Sequence, residues 1–306
     1  MTRKMNIITC PPPVKSADRK SFQDFYTDFR GEFFNKICLI KQKQLFFNES
    51  FFKQAFTLAE VLITLGVIGI VASMTLPSLI QKQQEKARVV ALKKFYSVIS
   101  QAYEFAVLEH GEPDVWGFSL NDSELLLSNL KSQMKFIKFC KNGDKCHPAA
   151  KIAYRNGNRI NNNIFNPSNN TRYAAVLADG MIIGTWVQSP DCKASYGPGK
   201  HLSNVYGEYM IDINGAKNPN RYGDDIFIFN ITKYGIVPVG AQIFDNVYEQ
   251  NEDENTRFNT KNYRFDTGCL DKNAYGFGCA GWVLQNENMD YLHCTNLSWN
   301  GNNKCK

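Results

Sequence analysis

The stretch FKQAFTLAEVLITLGVIGIVASMTLP, residues 52–77, decides how the chain is built, because it opens the long apolar run and sets one acid, Glu60, at its start. From Val61 to Ile80 twenty residues pass without a formal charge, close to the ~20 that an α-helix needs to cross a hydrocarbon core of roughly 30 Å. A secretory signal has a shorter apolar core with a small-x-small cleavage site beyond it. Here the run flows into a further helical pattern, which predicts a retained transmembrane helix. A carboxylate at the centre of a span costs about 2.5–3.5 kcal/mol, and less toward the interface. Glu60 therefore predicts a compensating cation. A cut between Ala55 and Phe56 would supply one, because the new α-amine would stand four residues before Glu60, the spacing that puts two groups on one helix face. The helix N-terminus favours the negative charge as well.

The charge distribution agrees with this orientation. Residues 1–55 carry ten Lys/Arg against five Asp/Glu, a net of +5 out of the chain's +6, so everything from Phe56 onward is close to neutral. A neutral body without a basic stripe argues against a phosphate-tracking protein, and no nucleic-acid partner is expected. The basic flank would hold its end of the span in the cytoplasm. Of the nine cysteines, seven follow the apolar run: Cys140, Cys146, Cys192, Cys269, Cys279, Cys294 and Cys305. They would then face an oxidising compartment where disulfides persist. Seven is odd, so at least one lacks an intrachain partner.

Lys53-Gln54-Ala55 followed by Phe56-Thr57-Leu58-Ala59-Glu60-Val61-Leu62-Ile63 resembles the class III signal of the type IV pilins and pseudopilins. The resemblance implies that a prepilin peptidase cuts before Phe56 and methylates its amine, that Glu60 guides assembly, and that Pro77, twenty-one residues past Phe56, bends or loosens the helix. Two features depart from the family pattern, Ala55 in place of the usual Gly and a leader of 55 residues. The implied partners are other copies or related subunits, the prepilin peptidase and an inner-membrane assembly platform. The implied location is a single-pass membrane protein that becomes a surface or periplasmic filament. A minor or tip subunit of a DNA-uptake or secretion machine, an uncleaved single-pass anchor and a membrane-anchored surface enzyme or binding protein remain as alternatives.

Beyond Pro77 the helical pattern turns amphipathic, with Leu92, Phe95, Ile99, Ala102 and Phe105 at three- and four-residue steps. His110-Gly111-Glu112-Pro113 marks its end. A helix from Phe56 to about Glu109 would be roughly 80 Å long. Ala178-Asp179-Gly180 joins two strand patterns, 173–177 and 181–187, as a hairpin. Further strands are predicted over 205–213 and 225–232, the latter apolar on both faces and hence central. The Asn-rich stretch 156–170 reads as an exposed loop. The expected class is α+β: a leader (1–55), an apolar assembly half of the helix (56–80), an amphipathic half (81–110) and a globular head (111–306) in which the helix lies on an antiparallel sheet.

The segment Asp212 to Asp225 is rich in acid and amide oxygens with glycines between them. It is similar to a calcium-binding loop of major pseudopilins, and that likeness implies Asp212, Asn214, Asp224 and Asp225 as Ca²⁺ ligands. Read from its own residues it is equally an Asx-rich turn capping its own backbone, with Lys217 and Arg221 supplying cations. No cofactor is otherwise expected. Cys140 and Cys146-His147 lack a second pair at zinc spacing, so a small disulfide loop is predicted there. Cys269, Cys279, Cys294 and Cys305 admit three pairings and are expected to staple a C-terminal region too polar to hold itself by packing. The four histidines stand in no nucleophile or metallohydrolase motif and no Gly-rich phosphate loop follows a strand, so no enzyme is predicted.

Overall fold

A computed structural model describes residues 57–120, 122–141, 144–147, 151–160, 164–166, 172–196, 201–245 and 260–306. By internal contacts the chain divides into two compact units, Met1–Ile68 and Gly69–Lys306. The described part of the first unit, residues 57–68, comprises Thr57 and the opening turns of helix α1, Leu58–His110.

Helix α1 is assigned without a break through Pro77. The 18-residue window that qualifies it as long and apolar enough to span a membrane is wholly unburied. Farther along, the same helix buries Val89, Leu92, Phe95, Ile99, Ala102, Tyr103 and Ala106. Phe105, expected in that face, is instead 45 % exposed. At 100° per residue, Tyr103 and Ala106 continue the stripe of Phe95 and Ile99, and Phe105 falls outside it. The helix stops where its punctuation predicts: the Gly111 amide donates to Val107 O at 2.9 Å with φ +80°, and Pro113 begins a 3₁₀ turn.

Among the described residues six antiparallel strands follow in simple chain order, β1 Phe136–Cys140, β2 Arg172–Leu177, β3 Ile182–Val187, β4 Val205–Asp212, β5 Ile226–Thr232 and β6 Gly235–Pro238. The α+β class is thus as expected. The hairpin at Ala178-Asp179-Gly180 is present, with Gly180 at φ +89°. Strands β1 and β6, which the sequence pattern does not announce, form the two edges. Strand β6 has four residues and ends in Pro238, while Tyr96 donates its hydroxyl to Ile236 O; a short, proline-ended edge resists pairing with another chain.

Strand β5 sorts its side chains as alternation requires. Phe227, Phe229 and Ile231 join the α1 side of the core, and Ile226 and Ile228 join a second cluster on the other face. On the α1 side Phe95 packs on Phe229 at 5.5 Å between ring centres, and the Tyr103 hydroxyl donates to Thr232 O at 2.6 Å. Each apolar side chain fully buried in this way contributes about 1.5–3 kcal/mol.

The second face is covered by connecting segments: within 156–170, expected as an exposed loop, residues 157–159 are exposed as expected, while Ile164 and Phe165 are not. Ile164 is 5 % exposed and Phe165 is fully buried, because the second sheet face must be covered and these are the apolar side chains at hand. The C-terminal region is also packed as well as stapled. Phe265 stacks on Trp282 at 4.0 Å, with Trp299 and Tyr291 around them, and this cluster joins the main core. The disulfides are Cys140–Cys146, Cys269–Cys279 and Cys294–Cys305, leaving Cys192 as the free thiol among the described residues.

Candidate functional site

Ala55 and Phe56, the expected processing residues, lie outside the described residues. Immediately after them the chain builds a helix start around Thr57 and Glu60. The Thr57 amide and hydroxyl donate to Glu60 Oε2 at 2.8 and 2.9 Å, and the Glu60 amide donates back to Thr57 Oγ1 at 3.2 Å. This is a reciprocal capping box, in which Thr and Glu three residues apart satisfy donors that the first helical turn leaves open. Among the described residues nothing is bonded to Oε1. Pro77 removes one amide from the helix ladder, and the hydroxyls of Ser73, Thr75 and Ser78 fold back onto Ile70 O, Val71 O and Thr75 O around it.

The four loop residues implied as calcium ligands separate into two groups. Asp212, at the end of β4, is fully buried; its Oδ1 accepts the Asn214 amide at 3.1 Å, an Asx turn. Asn214 Nδ2 donates to Asp225 Oδ2 at 3.0 Å, which also accepts the Asn220 amide at 2.9 Å. The other oxygen of Asp225 accepts the Arg221 amide at 2.7 Å. Asp224 turns to a different partner, the Arg221 guanidinium at 3.1 Å. Among the described residues no three His, Cys, Asp or Glu side chains are grouped to hold a metal ion.

A residue with no obvious tie to this loop completes it. His147, fully buried, sets Nε2 3.0 Å from Asp212 Oδ2 and 3.1 Å from Asn220 Oδ1. Both neighbours accept, so Nε2 carries the proton; Nδ1 has no partner among the described residues. Burial pushes the Asp212 carboxyl up despite the histidine. Asp225 is pushed up to about 7, first by burial and then by the charge of Asp212. Burial likewise raises Asp224, against the pull of Arg221 and Arg155.

A further buried acid went unsignalled by any motif. Glu208 in β4 is fully buried; its Oε1 accepts the hydroxyls of Tyr196 at 3.0 Å and Tyr263 at 2.6 Å, while Oε2 has no partner among the described residues. Burial raises its carboxyl. Asn230, its direct partner on β5, is equally buried, and both its side-chain amide atoms lack a partner among the described residues. Farther out, His293 Nε2 lies 3.0 Å from both oxygens of Glu85, tying the C-terminal segment to α1.

These features define an α+β protein that packs the later turns of one long helix on an antiparallel meander. The chain belongs to DUF6613, a family of unknown function, which matches residues 78–232, from just past Pro77 to the last residue of β5. No curated protein and no solved structure matches the chain.

Proposed function

We propose that the chain is a structural subunit of a type IV pilus or a type II secretion-like pseudopilus, cut before Phe56 by a prepilin peptidase and assembled through α1. One observation carries this reading: a single helix changes regime along its length. Its apolar run is unburied, and its later turns bury Leu92, Ile99 and Ala106 completely. An apolar surface of that extent requires an apolar partner, first lipid and then the same segment of neighbouring copies. Glu60 would set the register, since an acid among apolar helices is tolerated only beside a cation. Its unbonded Oε1 is where the cleaved amine would bind. The role is structural rather than catalytic, with the assembly platform and other subunits as partners. Dominance in sheared surface fibres would mark a major subunit, and scarcity there a minor or tip subunit.

The capping box supports a second reading, an uncleaved single-pass anchor, because Thr57 already satisfies one oxygen of the acid without any amine. Intact-mass and N-terminal analysis of protein from its native cell separates the two. A chain that starts at methylated Phe56 supports assembly; a full-length chain in processing-competent cells overturns it.

A further inference from the structure

We propose that the Cys140–Cys146 disulfide is a thiol-controlled latch for the β4–β5 loop, acting through the residue that follows it, His147. Cys140 ends β1, an edge strand, and both cysteines are buried in the cluster on the second sheet face. Asp212 lies on β4, three strands away in the sheet order, a span of about 14 Å at the usual strand spacing. The imidazole therefore reaches Asp212 only if the segment leaving β1 is held across the back of the sheet. Two devices hold it. The disulfide ties the segment to β1, and Asn166 clamps the His147 backbone on both sides, with Oδ1 accepting its amide at 2.8 Å and Nδ2 donating to its carbonyl at 2.9 Å. The His147 ring also stacks on Phe165 at 5.8 Å.

The loop depends on what the histidine delivers. Asn214, Asn220 and Arg221 all donate backbone amides to Asp212 or Asp225. Those carboxylates are buried together, and His147 Nε2 is the side-chain nitrogen that donates to Asp212. It also binds the Asn220 side chain, and the Asn220 carbonyl accepts the Ala153 amide at 3.0 Å. Withdrawing His147 leaves a buried acceptor without its donor and loosens each of these anchors. The loop then closes only where thiols are oxidised. Reduction by a dithiol delivers two electrons and two protons to the bridge, yields the two cysteine thiols and closes the reductant into its own cyclic disulfide.

Amide hydrogen exchange on the full chain tests this, read at Asn214, Asn220 and Arg221 against the sheet amides of Ile211 and Phe229. In the Cys140→Ser/Cys146→Ser variant the three loop amides should exchange about tenfold faster or more while the sheet stays protected. Cys294→Ser/Cys305→Ser should leave the loop unchanged. His147→Phe, which keeps a ring and removes the donor with the bridge intact, should reproduce the loop effect, and it serves as the test if the cysteine variant does not fold. Loop protection at the native level in a folded cysteine variant, or in His147→Phe, overturns the proposal, as does loosening by the Cys294/Cys305 variant to the same degree.

Discussion

Thr57 delivers both its amide and its hydroxyl to one oxygen of Glu60, at 2.8 and 2.9 Å, and leaves the other oxygen open among the described residues. The acid can thus cap the helix and pair with a cation at once, and substitutions separate the two roles. Glu60→Gln retains an acceptor for the Thr57 amide and removes the charge. Thr57→Val keeps the charge and removes the hydroxyl cap, a loss of about 0.5–2 kcal/mol in helix stability. The expected result is that Glu60→Gln abolishes fibre assembly with membrane insertion intact, whereas Thr57→Val assembles. Normal fibres from Glu60→Gln would assign the acid to capping alone.

The pH dependence of stability follows from Asp225, held at about 7 against an ordinary 3.8. A carboxyl raised on folding binds its proton more tightly in the folded state, so its stabilising contribution is complete below about pH 4 and is lost as pH rises through 7. The slope is at most about 1.4 kcal/mol per pH unit. Asp212, also raised, acts in the same direction. Urea midpoints between pH 4 and 8 should fall with pH more steeply for the native chain than for Asp225→Asn. Equal slopes would contradict this assignment.

Tyr209, fully buried in β4, donates its hydroxyl to Leu126 O at 2.6 Å, and Leu126 is fully buried too. Tyr209→Phe leaves that carbonyl unsatisfied. Denaturant unfolding should show a loss of about 1–3 kcal/mol; a change near zero would mean that water reaches the carbonyl.

Peptide mapping without reduction should recover Cys140 with Cys146, Cys269 with Cys279 and Cys294 with Cys305. Of the seven cysteines after the apolar run, Cys192 alone should react with a thiol reagent after denaturation, and slowly before it, being 8 % exposed. Recovery of any other pairing would refute the connectivity.

Where local chemistry dictates structure, the sequence is readable. Gly111 and Pro113 end α1 as their backbone preferences require, and Asp179-Gly180 turns the β2–β3 hairpin. Strand β1 is hidden because an irregularity between Phe136 and Lys138 breaks its alternation. Strand β6 is hidden because Gly235 and Pro238 are poor strand formers, made into a strand by pairing with β5. The candidate site is harder still. His147 meets Asp212 across 65 positions, Glu208 meets Tyr263 across 55, and Glu85 meets His293 across 208. No local pattern encodes such pairs. Thr57 and Glu60 do carry the capping-box spacing openly, but in an apolar run the acid suggests a cationic partner before it suggests a cap.

Because the six strands lie side by side in the order they occur along the chain, each strand's neighbour has already emerged by the time it appears. The sheet can therefore zip from one edge to the other as the polypeptide emerges during synthesis, with no strand waiting for a later one to be inserted between it and its predecessor. Helix α1 emerges before all of them, so the surface on which β5 must settle is in place first.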